Sequence, residues 1–291
     1  MQCKKLLLNK QLLRTDVKKI INSLLFILTI ASTNLVTEHQ VYSQVESQIQ
    51  QIDFQQHFDD LGIRGAIIIY DRNKDFFYQH NPQRNDTPFL PASTYKIPHS
   101  LIALETGVIK DDVDVLTWDG IKRDLPQWNQ DLNLRLAFKY SAVWFYQVLA
   151  RRIGHQQMQD FVTQMQYGNG NIGAATDTDI DRFWLEGELR ITPRQQVEFL
   201  RRLDRNDLPF SQRSIDLVKD IAITEQTPNY TLRAKTGWAT EQTPYIGWYV
   251  GYLEQNDNVY FFATNLDTPK EEDLAARLEI TRLCLQDLGL L

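Results

Sequence analysis

Strand signals stand at the two ends of this sequence with a long helical stretch between them, and that separation constrains the fold more than any other feature. Ala66–Tyr70 (AIIIY) is a continuous run rich in β-branched residues, Asp71–Lys74 (DRNK) has turn chemistry, and Phe76–Gln79 resumes as a strand. The pair reads as a hairpin. Strands return only late, at Leu232–Thr236, Ile246–Leu253 and Val259–Asn265, with Gln255–Asn258 (QNDN) as a hairpin turn between the last two. In between, from roughly residue 110 to 210, helical spacing dominates, as in Val143, Phe145, Val148, Leu149 and Ile153. Pro91 and Ala92 lead into an earlier helix that stops at Gly107, and Thr192-Pro193-Arg194-Gln195 carries a cap, a first-turn proline and a capping-box glutamine. Leu274–Leu288 closes the chain as an amphipathic helix. Strands so far apart in sequence must pair across the helical middle. The expected fold is therefore mixed, of the α+β type: an antiparallel sheet flanked by helices, with a helical subdomain (roughly 110–210) inserted beside it. A functional site belongs at the junction of the two.

The 291 residues, 43% of them hydrophobic, suffice for one sizeable core with such a subdomain. Charge excludes one class of partner. There are 31 basic against 37 acidic residues, a net of −6, and no basic stripe follows the first twenty residues, so nucleic acid is not an expected partner. Those first residues are different. Lys4, Lys5, Lys10, Arg14, Lys18 and Lys19 precede an apolar stretch, Ile20–Ala31, and then a polar segment, which is the layout of an export signal. Asn22, Ser23 and Thr29 interrupt the apolar stretch, which falls short of the ~20 residues a membrane span needs. The expectation is a signal and short linker over residues 1–43, cleaved between about 31 and 43, and a folded domain over 44–291. The mature protein would be periplasmic or secreted and meet a membrane only through that signal.

Removal of the signal takes Cys3 with it and leaves Cys284, which sits in an apolar helical pattern and reads as a small buried hydrophobe. The five histidines show no metal-ligand spacing, so no metal is expected. Asp111, Asp112 and Asp114 read as a solvated acidic loop.

Three short motifs carry the chemistry. In Ser93-Thr94-Tyr95-Lys96, three residues along a helix advance about 4.5 Å and bring both side chains onto one face. A serine hydroxyl needs a base to become a nucleophile, and a neighbouring amine or its derivative can serve. Alone, this S-x-x-K pattern is equally a helix-capping serine and a solvated lysine. Ser141-Ala142-Val143 offers a second hydroxyl able to relay a proton. Lys235-Thr236-Gly237 puts a cation and a hydroxyl on a strand, suited to a substrate carboxylate, with a glycine that lets a ligand lie near the backbone. Their order is that of the S-x-x-K, S-D-N and K-T-G motifs of serine β-lactamases and penicillin-binding proteins, with the middle one altered.

With Pro91–Gly107 (PASTYKIPHSLIALETG), Ser141–Val143 (SAV), Tyr167–Asn169 (YGN), Phe183–Thr192 (FWLEGELRIT), Lys235–Gly237 (KTG) and Gly247–Tyr252 (GWYVGY), the chain resembles the class D, or oxacillinase-type, serine β-lactamases from about residue 50 to its end. The resemblance implies a penicillin-recognising, transpeptidase-like fold and hydrolysis of the β-lactam ring of penicillin-type antibiotics. It implies Ser93 as the acylated nucleophile and Lys96, N-carboxylated by CO₂, as general base, with no other cofactor. Ser141 would shuttle a proton toward the leaving nitrogen, assisted by Lys235. Val143 would wall Lys96, and the Trp184 indole would hydrogen-bond the carbamate. The backbone N–H groups of Ser93 and Trp238 would form an oxyanion hole. Thr236, Gly237 and Arg277 would hold the substrate and its carboxylate. The chain would act as a monomer or homodimer. Two departures stand out: Tyr95 where many members carry Phe, and a longer segment, Gly170–Asp179, between YGN and FWLEG. A β-lactam-sensing domain and a penicillin-binding transpeptidase share this fold and are the rivals. The sensor normally carries additional membrane helices, and the transpeptidase has Asn at the place of Val143.

Overall fold

A β-branched run buried on both faces has to sit inside a sheet, and the computed structural model, which describes residues 53–174 and 180–291, places it there. The expected export signal and linker lie outside the described residues, as do positions 175–179 of the longer segment before FWLEG.

The elements follow one another as α1 (Gln55–Asp60), β1 (Gly65–Asp71), β2 (Phe76–His80), α2 (Pro82–Asn85), a 3₁₀ turn (Ala92–Tyr95), α3 (Lys96–Glu105), β3 (Val115–Leu116), β4 (Leu132–Asn133), α4 (Leu134–Lys139), α5 (Val143–Ile153), α6 (His155–Met165), α7 (Pro193–Asp204), α8 (Gln212–Ile221), β5 (Ile223–Gln226), β6 (Thr231–Ala239), β7 (Ile246–Gln255), β8 (Asn258–Asp267) and α9 (Ala276–Asp287). The main sheet runs β2-β1-β8-β7-β6-β5 and is antiparallel throughout. The early hairpin thus joins the late strands by pairing β1 with β8, with Ile68 opposite Ala263. Among the described residues, the regular elements between β2 and β5 are helices, apart from the small β3–β4 pair and an isolated bridge between Phe89 and Ile191.

All seven residues of β1 are buried, so both faces of the sheet are covered. With a period of two, Ile68 and Tyr70 face the core shared with the helical region, and Ile67 and Ile69 face the opposite side. On that opposite side α9 is tied to β8 by a 2.6 Å hydrogen bond between the Thr264 and Thr281 hydroxyls, and Cys284 is fully buried. Helix α7 covers the other side, and Arg201 reaches the Tyr70 hydroxyl at 2.9 Å. Its start is the capping box expected from Thr192 and Gln195.

One surface expectation is corrected. Asp112 is not solvated: it is buried, and Arg135 of α4 donates to it at 2.8 Å while also pairing with Asp220 of α8. An arginine twenty-three residues on neutralises a carboxylate that composition alone marks as surface.

Candidate active site

The 3₁₀ turn carrying Ser93 lies directly on β6, and a glycine permits it. A Cβ built on Gly237 would stand 3.1 Å from Thr94 Cγ2, 3.2 Å from Pro91 O and 3.3 Å from Thr94 N. The sequence motif assigned that glycine to substrate approach; its immediate neighbour is the turn that carries Ser93. Other contacts hold the turn in place. Ala92 adopts φ of 47°, a conformation costly for a residue with a side chain, and its N–H donates to Trp184 O at 3.0 Å. Thr94 Oγ1 donates to Pro91 O at 2.7 Å and accepts from Gln196 Nε2 at 2.8 Å, while the Trp248 indole donates to Leu90 O at 2.9 Å. Ser93 itself belongs to this 3₁₀ turn, and the α-helix proper begins only at Lys96. As an early residue of the turn, Ser93 has no carbonyl one turn back within it for its N–H.

Lys96 Nζ lies 2.8 Å from Ser93 Oγ, the contact that the motif spacing anticipates. The lysine is fully buried, and no carboxylate pairs with it among the described residues. Its pKa lies well below the ordinary lysine value, first because burial strips the ammonium of water and second because the Lys235 cation repels it. Both effects favour the neutral amine over the ammonium. The Tyr146 ring centroid lies 5.2 Å from Nζ, and His99 packs on Tyr146 and, with Tyr95 and Trp184, forms one cluster of rings. The Trp184 indole Nε1 is buried with no acceptor among the described residues.

Ser141 occupies the turn between α4 and α5 with φ of 57°. Its N–H donates to Phe138 O at 3.1 Å, and the Trp128 indole clasps the neighbouring Tyr140 O at 2.9 Å. Ninety-four residues later in the chain, Lys235 of β6 brings its Nζ to 3.1 Å from Ser141 Oγ and 3.0 Å from Thr236 O. Burial, and then the charge of Arg277, lower its pKa to about 7. Arg277, at the start of α9, donates from Nη1 to Gly237 O at 2.7 Å, so the last helix reaches the K-T-G strand. Val143 opens α5 two residues after Ser141 and is half-buried. Trp238 is half-buried next to Gly237, its ring 6.0 Å from that of Tyr245.

Strand β5 pairs only with Thr231, Leu232 and Arg233, so from Lys235 onward the outer edge of β6 has no strand beside it. A cavity of about 590 Å³ opens there, lined by Phe138, Lys139, Thr224, Lys235, Thr236 and Tyr249 among others. The structure thus gathers a serine, two buried amines, a second hydroxyl and an arginine beside an open strand edge. Among the described residues no cluster of His, Cys, Asp and Glu is placed to hold a metal ion. The motif reading missed His99, whose only sequence signal is its place one turn after Lys96.

Residues 46–286 match the family model of the penicillin binding protein transpeptidase domain. Among curated relatives, the chain is similar to β-lactamase OXA-48 of Klebsiella pneumoniae, at 44% identity over 230 residues, covering 79% of this chain and 85% of that protein. It is also similar to β-lactamase OXA-5 of Pseudomonas aeruginosa, at 38% identity, covering 90% and 98%. Of solved structures, it resembles the class D β-lactamase YbXI from Nostoc with a TM-score of 0.81 and 62% identity, covering 82% of this chain and 99% of that one.

Proposed function

This chain belongs to the class D β-lactamase family, and we propose that it hydrolyses β-lactam rings through an acyl-enzyme on Ser93, with Lys96 as the base. The observation that carries the reading is the Lys96 Nζ–Ser93 Oγ contact of 2.8 Å at a lysine that is fully buried and unpaired by carboxylate among the described residues. A neutral amine at that distance can take the hydroxyl proton as Oγ attacks the lactam carbonyl. The C–N bond of the ring then breaks, and the leaving nitrogen needs a proton. Ser141 and Lys235, in contact and with the lysine poised near neutrality, suit that delivery. The N–H groups of Ser93 and Trp238 are assigned to the carbonyl oxygen, and Thr236, Gly237 and Arg277 to the substrate carboxylate and its approach.

The residues around Lys96 also fit the product of an amine with CO₂. Nitrogen–carbon bond formation on the neutral Lys96 amine releases one proton to solvent and leaves a carbamate, which supplies an anionic base. Trp184 holds a buried N–H with no acceptor among the described residues, which suits an anionic oxygen, and Val143 is assigned to the apolar wall. Residues 1–43 are proposed as an export signal that delivers the domain to the periplasm, on their basic-then-apolar layout.

The test is direct. Ser93→Ala should abolish turnover of a chromogenic β-lactam and leave the melting curve in place. Mass spectrometry with a slow substrate should find one covalent adduct, on the peptide carrying Ser93; an adduct elsewhere refutes the assignment. Labelled bicarbonate should give a carbamate ¹³C signal lost in Lys96→Ala, and rates lowered by CO₂ removal should recover when it is restored. A wild-type enzyme without that signal and indifferent to bicarbonate refutes the carbamate while leaving Ser93 standing.

A further inference from the structure

His99 is the one fully buried imidazole of the described residues, and neither of its ring nitrogens has a hydrogen-bond partner among them. It stands one helical turn after Lys96, so the two side chains share a face of α3. Its ring lies 5.2 Å from that of Tyr146, 5.1 Å from that of Trp184 and 5.6 Å from that of Tyr95. Tyr146 is also the ring that Lys96 Nζ approaches at 5.2 Å, so histidine and lysine share this aromatic neighbour as well as a face of α3. Two polar nitrogens and an indole N–H left unpaired in a dry aromatic pocket are costly unless something pairs with them. Packing alone would be served as well by phenylalanine.

The charge state narrows the role. Burial strips the imidazolium of water and is the main reason the His99 pKa falls to about 3, an ammonium on Lys96 being the lesser cause, so burial alone favours the neutral ring. A neutral imidazole has one N–H donor and one acceptor nitrogen. A carbamate has acceptor oxygens and, on its nitrogen, one N–H donor, so the two groups are complementary. The rings packed on it are Tyr95, Tyr146 and Trp184, and the charged side chain acting on it is Lys96.

We propose that His99 is a positioning residue for the base, its imidazole hydrogen-bonding the carboxylate that CO₂ forms on Lys96, alongside the indole N–H of Trp184. The proposal rests on the carbamate reading of Lys96 given above. The step it assists forms a bond between the Lys96 nitrogen and the carbon of CO₂ and loses one proton from that nitrogen; His99 takes no part in bond making and holds the product in place.

The experiment is a ¹³C-bicarbonate titration of the carbamate signal in the full protein, in wild type, His99→Phe, His99→Asn and His99→Gln, with melting curves for each. Phe keeps the ring and removes both nitrogens, and should weaken CO₂ binding by about tenfold or more, the worth of a hydrogen bond to a charged group. Asn places its amide near the Nδ1 position and Gln near Nε2, so one of the two should restore affinity to within about threefold and thereby identify the nitrogen used. Phe binding CO₂ like wild type overturns the proposal, as does failure of both amides to restore affinity. If Phe does not fold, the wild-type protein with ¹⁵N-labelled histidine decides. The imidazole signal missing from His99→Asn should move on adding bicarbonate, and a signal that stays put overturns the role. Absence of any carbamate in wild type overturns the Lys96 reading itself, and is thereby distinguished from a carbamate that ignores His99.

Discussion

Replacing Lys235 with methionine should make the folded protein more stable while removing its activity, and the size of the gain should depend on pH. Burial and the neighbouring Arg277 charge bring the Lys235 pKa from 10.5 to about 7. Because the folded value lies below the unfolded one, the unfolded chain holds more protons between them, and stability rises with pH across that window. The penalty is complete below the folded pKa and vanishes above the unfolded one. At about 1.36 kcal/mol per unit, it amounts to roughly 4 kcal/mol at about pH 7 and roughly 2 kcal/mol at about pH 9. Methionine keeps the unbranched stem but loses the contacts to Ser141 Oγ and Thr236 O, at about 1 kcal/mol each. The net expectation is a gain of about 2 kcal/mol at about pH 7, or roughly 4–8 °C in Tm for a domain of this size, shrinking to about nothing at about pH 9. The assay is urea and thermal unfolding of both proteins in CO₂-depleted buffer, which keeps Lys96 an amine. A variant no more stable than wild type at the lower pH, or equally stabilised at both, refutes the reasoning. The expected outcome is a site that gives up stability to bury two amines beside Ser93 and Ser141.

Two further substitutions probe other parts of the site. Arg277→Ala should raise KM more than it lowers kcat, because a contact to the substrate carboxylate is made in ground and transition states alike; steady-state kinetics with unchanged KM would remove Arg277 from substrate binding. Gly237→Ala should push the Ser93 turn off β6, given the approach of 3.1 Å to Thr94 Cγ2. We expect kcat to fall by about tenfold or more with a loss of about 1–3 kcal/mol in urea unfolding, and a fully active variant would show that the turn can give way.

Much of this protein is local and therefore legible in its sequence. A β-branched run, a four-residue turn and an aromatic strand specify the first hairpin, because strand period and turn chemistry act over a few residues. Thr192 and Gln195 specify the start of α7 in the same way. The Ser93–Lys96 pair is local too: a three-residue spacing within one helical turn puts the two groups on one face, where they meet at 2.8 Å. What surrounds them is a matter of tertiary structure. Ser141 and Lys235 meet only because β6 runs past the turn between α4 and α5, and Arg277 joins them only because α9 delivers it to Gly237 O. The motif explained Gly237 by a substrate, whereas the nearest atoms belong to Thr94 and Pro91. Asp112 lost its water to a distant arginine. Desolvation is the common reason. Whether a lysine is a cation or a neutral amine, and whether a histidine is surface or pocket, depends on how many groups from distant segments exclude water from it; spacing along the chain brings Lys96 beside Ser93, but only the packed fold disfavours its charge.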